Sequence, residues 1–87
     1  MIEVKKKNDQ KYVVTIEDEN SSSEHFVILN DEYYKKLTEG KETKKNLIKR
    51  SFEFLLERES KESIFSEFNL KVINNYFPEY ESEIKLV

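Results

Sequence analysis

The apolar positions of the chain follow two periods that change over near residue 30. Ile2 and Val4 alternate with Glu3 and Lys5, and Tyr12, Val14 and Ile16 alternate with Lys11, Val13, Thr15 and Glu17. Strict alternation sends successive side chains to opposite faces, which marks a strand with one face buried. Asn8-Asp9 lies between these runs, and both residue types favour turns because they hydrogen-bond their own backbone. The polar stretch Glu17–Ser23 forms the next link. In the third run His25, Val27 and Leu29 share one face, and Phe26 and Ile28 share the other. A strand apolar on both faces is expected in the middle of a sheet or covered on both sides. Three sequential strands with short links predict an antiparallel meander over residues 1–29.

Beyond Leu29 the spacing becomes helical. Asn30 or Asp31 can cap a short helix whose apolar side is Tyr33, Tyr34 and Leu37. Gly40, the only glycine, follows where a left-handed residue ends a helix at least cost. Thr43 then caps the main helix, expected to run to about Glu59, with Leu47, Ile48, Phe52, Leu55 and Leu56 as its stripe and Phe54 widening it. Ser51 sits within that stripe, where a small side chain lets another element come close. Ser60 is expected to cap a short helix turning Ile64, Phe65 and Phe68 inward, and Asn69 the next, with Leu70, Ile73, Tyr76 and Phe77. Pro78 suits the first turn of a last helix over Glu79–Leu86, with Tyr80 and Ile84 four apart. The fold class is therefore α+β. The meander is followed by a helical C-terminal half, residues 30–87, of three to five helices packed on one sheet face, all in a single domain.

The core expected from this pattern is Val4, Val14, Ile16, Val27, Leu29, Leu37, Leu47, Ile48, Phe52, Leu55, Ile64, Phe68, Ile73 and Phe77. Tyr76 and Tyr80 are expected to be half-buried with their hydroxyls at the surface.

Composition removes whole classes of chemistry. Among 87 residues there is no cysteine, one histidine, one glycine and one proline. Thiol chemistry and Cys-ligated zinc are closed. A phosphate-cradling loop needs several glycines to bring backbone N–H groups close to the ligand. The lone His25 lies on a strand, with nothing near it resembling a nucleophile elbow. Glutamates are numerous and cluster without the spacing of a cation loop, including Glu17-Asp18-Glu19-Asn20, which lacks the glycine of an EF-hand. We expect no enzyme activity, no metal and no cofactor. The N-terminus has no apolar segment of a secretory signal, so the cytoplasm is the expected location, with no membrane association.

The formal net charge of −3 is uneven. Residues 1–50 hold 11 basic and 10 acidic side chains, and residues 51–87 hold 4 and 8. Residues 35–50 alone carry seven basic groups against two acidic ones. Lys44 and Lys45 fall in the first turn of the main helix, where the dipole disfavours cations. With Lys41, Lys49 and Arg50 they form a candidate contact for an anion or nucleic acid.

The segment Glu24–Glu59 resembles a ribbon-helix-helix DNA-binding unit in its order of strand, short helix, Gly40, Thr43 cap and longer helix. That resemblance implies strands paired between two chains, Glu24, Phe26 and Ile28 on the outward ribbon face, and Thr43, Lys44 and Lys45 at phosphate. The stretch from Ser51 to Glu59, with Tyr76-Phe77-Pro78-Glu79-Tyr80, resembles small bacterial proteins of unassigned function. The reading favoured by these features is a non-catalytic binding or protein-interaction domain, with a protein partner or a second copy of itself. Its contact surface is placed on the sheet face opposite the helices, at Tyr12 or Val13 and Phe26 or Ile28. The alternative is nucleic-acid binding through the block 41–50.

Overall fold

The computed structural model describes residues 1–85. Strands β1 (Ile2–Lys6), β2 (Lys11–Glu17) and β3 (Ser22–Ile28) come first, followed by helices α1 (Asp31–Thr38) and α2 (Lys44–Leu56). A 3-10 turn (Lys61–Ser63), strand β4 (Glu67–Asn69), a second 3-10 turn (Leu70–Val72), α3 (Ile73–Tyr76) and α4 (Tyr80–Ile84) complete the chain. The α+β class is what the sequence pattern implied.

Side-chain hydrogen bonds shape both hairpins. Asn8 Oδ1 accepts from the backbone N–H groups of Gln10 and Lys11, each at 2.9 Å. Asp18 Oδ1 does the same for Asn20 and Ser21 at 2.9 Å. Each closes a turn by replacing a backbone acceptor with a side-chain one. The strands on either side pair antiparallel, with Val4 opposite Val14 and Val14 opposite His25.

The sheet has four strands in the order β1-β2-β3-β4, and β4 runs parallel to β3. The helix expected from Ser60, with Phe65 and Phe68 inward, does not form: a single 3-10 turn is followed by extended chain. One turn of helix fixes several residues for few hydrogen bonds. The extended segment instead satisfies the open edge of β3, where Phe26 donates its N–H to the Ser66 carbonyl at 2.8 Å. β3 is thus bonded on both edges over Phe26–Ile28, so a ribbon paired between two chains through these residues would have to displace β4.

The core lies between the sheet and the helices. β2 contributes Tyr12, Val14 and Ile16, β3 contributes His25 and Val27, and α2 contributes Leu47, Ile48, Phe52, Phe54 and Leu55. Val4, Phe68 and Phe77 are half-buried against this cluster, short of the full burial expected of them. Tyr12, Leu70, Tyr80 and Ile84 belong to the core, although the pattern did not place them there. Tyr80 corrects the expectation of a surface hydroxyl. It is fully buried, and its hydroxyl lies 2.6 Å from Ser51 Oγ. Ser51 in turn donates to the Leu47 carbonyl at 2.8 Å. The small residue in the stripe of α2 therefore admits the ring of α4. Tyr76 departs the other way and is 63% exposed.

Caps follow the sequence closely. The Asn30 side chain accepts from Tyr33 N at 2.8 Å, and Thr43 Oγ1 from Asn46 N at 3.1 Å. The left-handed turn after α1 takes two residues, Glu39 at φ 53 and Gly40 at φ 77. Helix α2 stops at Leu56, short of Glu59, and Arg58 folds back to lie 3.6 Å over the Phe54 ring. The last helix was expected to reach Leu86, which lies outside the described residues.

A candidate binding groove walled by aromatic rings

Helix α2 ends at Leu56, and Leu55 in its last turn faces the segments that follow. The chain passes through the 3-10 turn to Ile64 and Phe65, enters β4, and returns as α3. Between these segments runs a groove of about 330 Å³. Its floor is Leu55, Ile64 and Ile73; its walls are Phe65, Phe68, Tyr76 and Phe77. Glu59 and Ser63 stand at the mouth, and no lysine or arginine lines it.

The rings meet at steep angles. Phe65 lies 5.6 Å from Tyr76 and 6.3 Å from Phe68, both at 65° between ring planes. Edge-to-face contacts of this kind are favourable and leave one ring face open. Phe65 is 50% exposed, and with Tyr76 and the terminal Met1 it is among the large apolar side chains the fold leaves in water.

His25 holds one wall. Its Nδ1 lies 2.7 Å from the Phe65 carbonyl and its Nε2 lies 2.9 Å from Ser23 Oγ. The ring packs 5.6 Å from Phe52. The only histidine thus ties the start of the β4 segment to the sheet, which is a positioning task. Lys61, at the bottom of the 3-10 turn, is buried and paired with Asp18 at 2.7 Å and Glu62 at 2.6 Å. The Lys61 ammonium and two backbone N–H groups hold the Asp18 carboxyl at about 2. Among the described residues no cluster of three or more His, Asp or Glu is placed to hold a metal. None of their helices is long and apolar enough to cross a membrane.

The sequence-derived candidates fall elsewhere. Tyr12 faces the core and is 4% exposed, so it cannot form part of an outer contact surface. Val13, Phe26 and Ile28 do share the opposite face and are half-buried. There Lys7 and Lys11 stand 5.5 and 5.4 Å from the Phe26 ring, and Lys11 pairs with Glu67 at 3.1 Å. The basic block is divided. Lys44 is bound by Asp31 and by the Asp9 carbonyl, and Asp31 is held below the usual carboxylate range by this lysine. Arg50 binds Glu42 in a two-point contact and reaches the Ile84 carbonyl at 2.9 Å. Lys41, Lys45 and Lys49 are exposed and have no ion-pair partner among the described residues. The unfavourable lysine at the start of α2 is thus offset by Asp31 from α1.

The groove itself was missed in the sequence. The helical spacing turns Phe65, Phe68 and Phe77 inward on short helices and leaves Tyr76 half-buried, with no cleft between them. The one signal was an excess of aromatic residues, 13% of the chain, over a small core. Comparison with known proteins assigns no relative to this arrangement: no family model, no curated protein and no solved structure matches the chain.

Proposed function

We propose that the protein is a small non-catalytic binding module that takes an apolar side chain of a partner protein into the groove between α2, β4 and α3. One observation carries this reading: two large aromatic side chains, Phe65 at 50% and Tyr76 at 63% exposure, stand at the mouth of an aromatic-walled cleft. Covering such rings is worth about 1 kcal/mol or more each. The volume suits one or two side chains. The polar groups at the mouth, Glu59 and Ser63, include no base poised over a nucleophile, and Ser63 Oγ lies 3.2 Å from Ser60 Oγ.

The reading is tested by titrating isotope-labelled protein with short blocked peptides bearing leucine or phenylalanine. Amide shifts confined to residues 59–77 are expected. Shifts scattered over the surface, or none at millimolar peptide, would overturn it.

Lys41, Lys45 and Lys49 keep a second reading open, contact with nucleic acid. It predicts binding to duplex DNA at low salt that weakens steeply as salt rises. No binding at about 50 mM salt would remove it.

A further inference from the structure

Outside the groove, the half-buried rings of Phe26 and Tyr34 and the buried rings of Tyr33 and Phe54 each have a cation beside them. Lys7 and Lys11 stand over Phe26, Lys36 lies 5.7 Å from the Tyr33 ring and Lys44 lies 5.8 Å from that of Tyr34. Arg58 covers Phe54 at 3.6 Å. Among the described residues no lysine or arginine stands over Phe65, Phe68, Tyr76 or Phe77, although the chain carries 15 such residues. The negative face of an aromatic ring attracts a cation, most strongly when the site is partly desolvated. Among the described residues the one charge lining the groove is the Glu59 carboxylate, and it has no ion-pair partner there.

Faces tilted at 65° form an open corner around a space with a carboxylate at its mouth. An aliphatic group would fill the corner and leave Glu59 unused. A bare ammonium would reach Glu59 and leave the floor of Leu55, Ile64 and Ile73 uncovered. A long side chain that is apolar along its stem and cationic at its tip satisfies both. The guanidinium fits better than an ammonium, because it is planar, weakly hydrated and stacks on rings while bonding a carboxylate.

We infer that the groove's occupant is an arginine side chain of a partner peptide, with its stem over the floor of Leu55, Ile64 and Ile73 and its guanidinium stacked on the rings of Phe65 and Tyr76 and directed to Glu59. Most carboxylates of residues 51–87 are engaged by lysine or arginine, so Glu59 is the charge that a basic side chain entering the groove would meet. This inference rests on the proposed groove function and narrows it to one ligand chemistry.

The test compares two blocked tripeptides, acetyl-Leu-Arg-Leu-amide and the same peptide with citrulline, the uncharged isostere of arginine. Each is titrated into labelled protein, with amide shifts of Phe65 and Tyr76 followed. The arginine peptide is expected to bind more tightly by about threefold or more, and Glu59→Gln is expected to remove most of that margin without weakening the citrulline peptide. Equal affinity for both peptides overturns the cation assignment and leaves the groove as a plain apolar site. Absence of shifts with both overturns the groove reading as well. If arginine shifts resonances across the acidic surface and Tyr76→Ser leaves its affinity unchanged, the contact is nonspecific charge attraction and the inference fails. Sedimentation at rising protein concentration closes the remaining case, since self-association that perturbs Phe65 and Tyr76 would make a second copy the occupant.

Discussion

Ser51 and Tyr80 show how much a single polar pair can decide. Ser51 has one hydroxyl proton and gives it to the Leu47 carbonyl, so the Tyr80 hydroxyl is the donor to Ser51 Oγ at 2.6 Å. Burial pushes the Tyr80 hydroxyl pKa well above its ordinary value, which keeps it protonated and able to donate. Ser51→Ala leaves that buried hydroxyl without an acceptor and is expected to cost about 1–3 kcal/mol. Tyr80→Phe removes the donor while Ser51 keeps Leu47, and should cost about 1 kcal/mol. Denaturant unfolding of both variants and the double variant checks this. The double variant should be less destabilised than the two costs added together, because one interaction is removed twice. The helix spacing exposed Ser51 as an oddity in an apolar stripe, but nothing in the spacing named Tyr80, which is 29 residues away along the chain.

At the scale of elements, the parts joined by local rules were legible and those joined by distant pairing were not. Strand alternation, the Asn30 and Thr43 caps and the glycine turn depend on residues within a few positions of one another. β4 depends on the free edge of β3, some forty residues earlier, so its own short sequence reads as ambiguous. The Asp18–Lys61 bridge is of the same kind, fastening the β2–β3 turn to the link after α2. A carboxylate held at about 2 stabilises the fold above its ordinary value near 3.9, and that contribution is lost as pH falls toward 2. Asp18→Asn keeps the acceptor for the turn and removes only the charge. It is expected to lower Tm at neutral pH, with the difference from the parent shrinking as pH falls toward 2 in thermal melts followed by circular dichroism.

For the whole molecule the balance lies between a small core and many aromatic rings. The radius of gyration, 12.2 Å, matches the value of about 12 Å expected of a compact chain this long. Phe52, Phe54, Tyr12 and Tyr80 fill the interior. The groove aromatics are left partly in water because residues 60–77 are made of turns and elements of three or four residues, too short to cover one another. Replacing them should therefore separate binding from stability. Tyr76→Ser is expected to change unfolding free energy by no more than about 0.5 kcal/mol while abolishing the peptide-induced shifts at Phe65. Loss of folding on this substitution would make Tyr76 a structural ring and remove the groove as a separate site. Thiol chemistry was closed by composition without any structure, since an absent cysteine is absent in every fold.

The amino-acid sequence by itself determined the α+β class, three of the four strands, both main helices with their caps, and most of the core, because each follows from periodicity and capping among near neighbours. It also showed a basic block, but not that Asp31 and Glu42 engage two of its cations. Only the tertiary structure decided that β4 occupies the second edge of β3, that Tyr80 is buried on Ser51, and that four rings from residues 65–77 wall one groove. Those outcomes depend on which distant segments meet, and hydrophobic spacing says which face of an element is apolar but not what will cover it.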